Sequence, residues 1–199
     1  MVRAVPARES PPVTPLFEAA CDLQAFFTQR QWRFCIIGGM ALLRWGEPRF
    51  TRDVDVTLLS GFGREEQFIT PLLTSGYRGR IADAAAFALR NRVLLLQSPS
   101  GVPIDIALGG LPFEEAVVER SSLFEFAPGC SLRTCSAEDL IILKLFAFRP
   151  QDVLDVETVA MRQRGALDWV HIERHLGPLS EIKEQPEIMD AFGRLRRPR

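Results

Sequence analysis

Lysine is nearly missing from this 199-residue chain. Lys144 and Lys183 are the only two among 24 basic residues. We read the bias as genome composition, and it makes a lysine inside a motif more noticeable. Net charge is also lacking, at −1. No global field therefore draws the protein to nucleic acid or a membrane, although a local basic face would be enough for nucleic acid. No apolar run reaches about eighteen residues, which excludes a spanning helix. Cysteine is confined to Cys21, Cys35, Cys130 and Cys135. The four residues between Cys130 and Cys135, with no second pair to match, are not a zinc pattern. Reduced, mostly buried thiols in a cytoplasmic protein are expected, and a Cys130–Cys135 disulfide is the less favoured alternative. The N-terminal MVRAVPARESPPVTP lacks the apolar core of a signal peptide and reads as a flexible Pro-rich lead over residues 1–13. Internal repeats and low-complexity blocks are absent.

What remains is an ordinary globular composition, 47% apolar, at a length that suits one domain or one domain with an appendage. Leu16, Ala19, Ala20, Leu23, Phe26 and Phe27 recur at helical spacing behind Thr14-Pro15, a cap and first-turn pair. Arg33 to Ile37 reads as a strand, Gly38-Gly39 as a turn, and Met40 to Trp45 as a helix. Val54 to Leu59 is a strand and Arg64 to Thr74 a helix. Ile81 to Ala86 fits a loop or a helix. Phe87 to Leu96 reads as a strand, hairpin-paired through Ser98 to Gly101 with a strand from Val102 to Leu108. Pro112 to Arg120 is a short helix, and Ser122 to Phe126 and Ser131 to Thr134 are short strands. Ser136 and Asp139 form a capping box for an apolar helix from Ala137 to Phe148. Helices follow over Gln151 to Arg164, from Asp168 to a stop at Gly177-Pro178, and over Ser180 to Leu195. The fold class is α/β (α+β), a mixed β-sheet flanked by helices. Residues 14–135 form its core, and a helical C-terminal part over 136–199 packs on that core.

Asp53 and Asp55 are one residue apart at a strand start, so they share a face while Val54 and Val56 enter the core. Adjacent carboxylates repel unless a cation lies between them, and a hard ion with oxygen ligands such as Mg²⁺ or Mn²⁺ answers that need. Asp105 lies between Ile104 and Ile106 on another strand. If the two strands are neighbours, the three acids can hold two metals for in-line displacement at phosphorus. Gly38-Gly39, after a strand and before a helix, lets backbone N–H groups approach phosphate, aided by the helix dipole.

The Gly pair, then RFTRDVDV, then IDIAL resembles the nucleotidyltransferase superfamily related to DNA polymerase beta. The stretch AEDLIILKLFAFRPQDVLDVETV is similar to its AbiEii group, in which a helical Lys is followed by an Arg and an Asp-x-x-Asp helix. The matching residues are Lys144, Arg149, Asp152 and Asp155, and the likeness spans Phe34 to Val159. It implies the nucleotidyltransferase fold and transfer of a nucleoside monophosphate from an NTP, with pyrophosphate released. It assigns metal to Asp53, Asp55 and Asp105, with Asp105 also activating the acceptor. It assigns the triphosphate to Gly38 and Gly39 with Lys144, and nucleotide binding to Thr51, Arg52, Arg149 and Asp152. Asp155 would act by orienting Lys144. Many members carry Ser after the first Gly. Gly39 stands there, so only backbone donation remains. The implied acceptor is RNA such as a tRNA 3′ end, a protein or a small molecule, and an antitoxin partner follows by analogy.

Each feature has a plainer reading. Asp53 and Asp55 could be an acidic strand edge, Asp105 a solvent-facing hairpin residue, and Lys144 a snorkelling side chain. Asp152 could serve only the helix dipole. His171 and His175 share a face, but without Glu after the first His they read as a bland surface pair. Gly61-Phe62-Gly63 is a turn rather than a dinucleotide fingerprint. Arg78, Arg80, Arg90 and Arg92 form a basic rim or scattered charge. The alternative function is a non-catalytic nucleotide-binding or interaction relative of the fold.

Overall fold

In the computed structural model, residues 14–196 are described. The lead over 1–13 and the end of the basic tail lie outside them. Helix α1 (Pro15–Gln29) opens on Pro15 and buries Ala19, Ala20, Leu23 and Phe27. Strand β1 (Phe34–Ile36), helix α2 (Gly38–Trp45) and strand β2 (Val54–Leu59) follow, then α3 (Glu66–Thr74) and the short β3 (Arg78–Gly79). Next come α4 (Ala84–Asn91), β4 (Val93–Gln97), β5 (Pro103–Gly109), α5 (Pro112–Glu119), β6 (Ser122–Ala127) and β7 (Cys130–Thr134). The chain closes with α6 (Ala137–Ala147), α7 (Pro150–Arg162), α8 (Trp169–Ile182) and α9 (Glu187–Arg196).

These strands form one mixed sheet in the order β3-β4-β5-β2-β1-β7-β6. At its centre β2 and β5 are parallel and pair Val54 with Ile104, Asp55 with Asp105 and Val56 with Ile106. Strand alternation then divides the side chains between two faces. Val54, Val56, Leu58, Ile104, Ile106 and Leu108 join α1, α3 and α4 in one core. Cys35 faces the other way, into a second core built by α2, α5 and the helices α6 to α9. Asp55 and Asp105, offset by one residue from the buried valines and isoleucines, face that second layer.

Helix α6 is the axis of this layer. It buries Leu140, Ile141, Ile142 and Leu145 and also two charged residues, Asp139 and Lys144. A helix apolar all round needs neighbours on every side, and α2, α7, α8 and α9 supply them. Ser136 caps it by accepting from the Asp139 N–H at 3.1 Å. Asp139 is fully buried. It takes the Arg120 Nε–H at 3.0 Å and the Ser136 hydroxyl at 2.9 Å, with His171 Nε2 at 3.3 Å.

Four expectations change. Phe87 to Asn91 is helical, since AAAFALRN is rich in good helix formers. Arg92, at φ 56°, then turns the chain into β4. The two-residue β3 is too short to leave a periodic signal. Gly177-Pro178 does not end α8, which continues through Pro178 to Ile182. Proline removes one N–H, but buried Leu176 and Ser180 on either side hold the helix together. The single helix expected from Ser180 is two, with α9 starting after Pro186. The histidines are not a bland surface pair either. Their ring centroids lie 4.5 Å apart with the planes tilted by 52°, and His171 contacts buried Asp139. All four cysteines are free thiols, and no described helix is long and apolar enough to cross a membrane.

Candidate active site

The Gly pair forms the first turn of α2 rather than a turn ahead of it. Gly38 takes φ +59°, where a Cβ would lie 1.9 Å from Asp55 Oδ2. A Cβ on Gly39 would lie 2.3 Å from Thr51 Oγ1. Both positions therefore exclude side chains, because the site's own polar groups fill that space. Ile37 at the N-cap has no side chain that can cap α2, and the Gly39 N–H donates instead to the Asp55 carboxylate.

Thr51, in the loop leading to β2, donates its hydroxyl to Asp53 Oδ1 at 3.1 Å. Burial is the first cause of a raised Asp55 pKa, about 6, and the negative charges of Asp53 and Asp105 add to it. The Gly39 N–H and the Lys144 ammonium pull partly the other way. Asp105 is also raised, by burial foremost, while Arg80 opposes the rise. Arg80 follows β3, and its backbone N–H donates to Leu95 O at 3.0 Å. From there its guanidinium crosses β4 to pair with Asp105. Three acids on one sheet face thus share an unfavourable field, the condition that a hard cation relieves. Their oxygen chemistry fits such an ion. Among the described residues, however, no group of three carboxylate, imidazole or thiol side chains stands as a ready metal cage.

Lys144 neither snorkels nor points free. Its ammonium is buried, 3.0 Å from Asp152 Oδ1 and 2.7 Å from Asp155 Oδ2. Asp155 also takes a forked pair of bonds from Arg49, both 2.9 Å, and one from Gln151 Nε2 at 2.9 Å. Burial pushes the Asp155 carboxyl up, but these three donors outweigh it and hold the group below its ordinary value. Arg149 is exposed, with its Nε 3.1 Å from Asp152 Oδ2. Arg52 is exposed as well.

The fold therefore gathers Gly38, Gly39, Thr51, Asp53, Asp55 and Asp105 around one end of the central strands. Lys144, Asp152 and Asp155 form an adjoining ion cluster whose lysine charge Asp55 feels. Arg149 remains at the rim. Sequence reasoning gave no role to Arg49, which was visible only as the first residue of RFTRDVDV, or to Gln151. Arg80 was visible only as part of a diffuse basic rim. Their partners lie 106, 4 and 25 positions away in sequence, respectively.

Arg49 is one of several ties between the α2–β2 loop and α7. Thr158 Oγ1 accepts the Glu47 N–H at 3.0 Å, Gln163 Nε2 donates to Trp45 O at 2.9 Å, and Arg162 donates to Gly46 O. The loop that presents Thr51 and Asp53 is thus braced on the helix that carries Asp152 and Asp155.

Comparison with known proteins places this geometry. The crystal structure of ANT(2″)-Ia in complex with adenylyl-2″-tobramycin superposes at a TM-score of 0.57. It is 15% identical and covers 85% of this chain and 99% of its own. The solution structure of the antibiotic-resistance factor ANT(2″)-Ia gives 0.56 at 13% identity, covering 84% and 92%. An antigenic nucleotidyltransferase-like protein from Paracoccidioides brasiliensis gives 0.51 at 15% identity, covering 89% and 92%. At such identities the likeness is one of fold, the nucleotidyltransferase fold. No curated protein sequence matches the chain. The sequence profile described as "Nucleotidyl transferase AbiEii toxin, Type IV TA system" matches residues 23–176. That span covers well over half of the chain and contains every acid of the site, so the protein belongs to the AbiEii family of nucleotidyltransferases.

Proposed function

We propose that the protein transfers a nucleoside monophosphate from an NTP to an acceptor in a divalent-metal-dependent reaction and releases pyrophosphate. The observation that carries this reading is the β2–β5 register. It sets Asp55 beside Asp105, with Asp53 on the same face and the α2 N-terminus against Asp55. Asp53, Asp55 and Asp105 would hold Mg²⁺ or Mn²⁺. When bound, the ions would neutralise phosphate charge and favour the acceptor's oxyanion. Gly38 and Gly39 let Asp55 and Thr51 close over the first α2 turn, and the remaining N–H groups there, at the positive end of the helix dipole, would meet the triphosphate. Thr51 fixes the Asp53 carboxylate. Asp105 accepts the proton of the acceptor hydroxyl, and Arg80 positions its carboxylate until the acceptor arrives. Asp152 and Asp155 hold Lys144 so that its positive charge faces the site without moving. Arg52 and Arg149 stand at the rim, where Arg149 would meet nucleotide phosphates and Arg52 another part of the nucleotide.

The acceptor is RNA such as a tRNA 3′ end, a protein or a small molecule, and the fraction that takes up label decides among them. A toxin role with an antitoxin partner follows from the family's description, and a cytoplasmic location accords with four free thiols. The test is incubation with each labelled NTP, Mg²⁺ or Mn²⁺ and total cell extract, followed by counting of RNA, protein and small-molecule fractions. Label should appear in one fraction and vanish with the Asp53→Ala/Asp55→Ala variant. No transfer from any NTP, together with no metal-dependent NTP binding, would leave only a non-catalytic relative.

A further inference from the structure

Phe50 lies between two anchored residues and is itself bare, at 78% exposed. On one side, Arg49 is forked onto Asp155 and also donates through Nη1 to the Phe50 carbonyl at 3.2 Å. On the other, Thr51 is bonded to Asp53 and fills the space over Gly39. The loop backbone is therefore fixed on both sides of the ring. The ring is left outside both cores, although an aromatic side chain has much to gain from burial. The Arg52 guanidinium stands 5.4 Å from the Phe50 ring centroid. A held aromatic face beside a planar cation, on the loop that carries Thr51 and Asp53, is an exposed stacking surface.

We infer that Phe50 and Arg52 form a nucleobase platform. A base stacks on the Phe50 ring and the Arg52 guanidinium lies along it. This rests on the nucleotidyl-transfer reading of the same site. Every base has a π face, and both aromatic rings and arginine planes stack on it without regard to sequence. A methyl-rich or aliphatic ligand would gain nothing from the arginine, and a bare phosphate would gain nothing from the ring. The base can come from the NTP or from the terminal nucleotide of a single-stranded acceptor, and the chemistry of the platform is the same for both.

The experiment uses the full chain as wild type, Phe50→Ala, Phe50→Leu and Phe50→Trp. Three probes are titrated with Mg²⁺: non-hydrolysable analogues of the four NTPs, inorganic tripolyphosphate, and a short single-stranded RNA. Phe50→Ala and Phe50→Leu should weaken one base-bearing probe by about 10- to 100-fold. Phe50→Trp should bind it at least as tightly as wild type, and tripolyphosphate binding should stay unchanged. Loss confined to the NTP analogues places the donor base on the ring, and loss confined to the RNA places the acceptor base there. The platform is overturned if Phe50→Ala binds both probes like wild type, or if Phe50→Leu retains full affinity. If wild type binds tripolyphosphate as tightly as it binds any NTP analogue and binds no RNA, the platform falls while the triphosphate site stands. If wild type binds none of the three, both ideas fall together. An unchanged thermal midpoint in Phe50→Ala, expected for so exposed a ring, separates lost stacking from lost folding.

Discussion

Replacing Asp55 by Asn should make the metal-free protein more stable while destroying its site. Asp55 titrates near 6 in the fold against an ordinary 3.8, because burial and the charges of Asp53 and Asp105 disfavour its ionised form. The folded state therefore holds this proton more tightly than the unfolded chain does. Between those two values the folded protein binds more protons, so its stability falls as pH rises. The penalty is absent below 3.8 and complete above about 6, where it amounts to about 3 kcal/mol. Asparagine keeps an oxygen for the Gly39 N–H and nearly the same shape but cannot ionise. In urea titrations with chelator present, Asp55→Asn should gain about 2–3 kcal/mol over wild type at pH 8. The gain should shrink through pH 5 and vanish near pH 4, at constant m-value. Adding Mg²⁺ or Mn²⁺ should then stabilise wild type and leave the variant unchanged. A variant less stable than wild type at pH 8, or a gain that does not vary with pH, would refute the claim that the three acids share one strained field.

Gly38→Ala should unfold at lower temperature and lose Mn²⁺ binding together. The αL backbone costs about 1–2 kcal/mol, and the new methyl displaces Asp55, which lies 1.9 Å from its position. Lys144→Met should cost about 3 kcal/mol in urea unfolding, because Asp152 and Asp155 stay buried after losing their shared cation. Adding Asp152→Asn to Lys144→Met should recover part of that loss, which a mere packing defect would not allow. Asp139→Ala should cost about 3 kcal/mol by stranding Arg120 and leaving the Ser136 hydroxyl without its carboxylate acceptor, with NTP affinity unchanged in the remaining folded protein. Equal loss of NTP affinity would place Asp139 in the active site instead.

Much of the fold is visible in local patterns. Alternation in VDVTLL and PIDIALG marks β2 and β5, the Thr14-Pro15 and Ser136 caps mark α1 and α6, and the evenly apolar α6 announces its central position. The errors lie where local preference and tertiary demand disagree. AAAFALRNRVLLL is one apolar stretch, and only the left-handed turn at Arg92 divides it into α4 and β4. Gly177-Pro178 carries a strong stop signal, yet the burial of Leu176 and Ser180 overrides it.

The same contrast separates the two halves of the site. Asp53 and Asp55 are legible because strand geometry alone puts residues i and i+2 on one face. Asp105 is legible as a strand residue, but its place beside Asp55 depends on a parallel register that no spacing encodes. The ion cluster is harder still. Lys144 is eight residues from Asp152 and 11 from Asp155, within reach of a motif. Arg49 is 106 residues from Asp155 and belongs to a different motif. Yet Arg49 joins the two halves. It answers the surplus negative charge left when Lys144 faces two buried aspartates, and it fixes the loop that presents Thr51 and Asp53. On the proposed reading, in which Lys144 faces phosphate, its counter-charges need balancing elsewhere, or the carboxylates would compete with a nucleotide for it. Arg49 provides that balance from the loop side. The acids at the β2–β5 end and the α6–α7 ion cluster are therefore joined in one electrostatic unit, although the sequence presents them as two separate signatures.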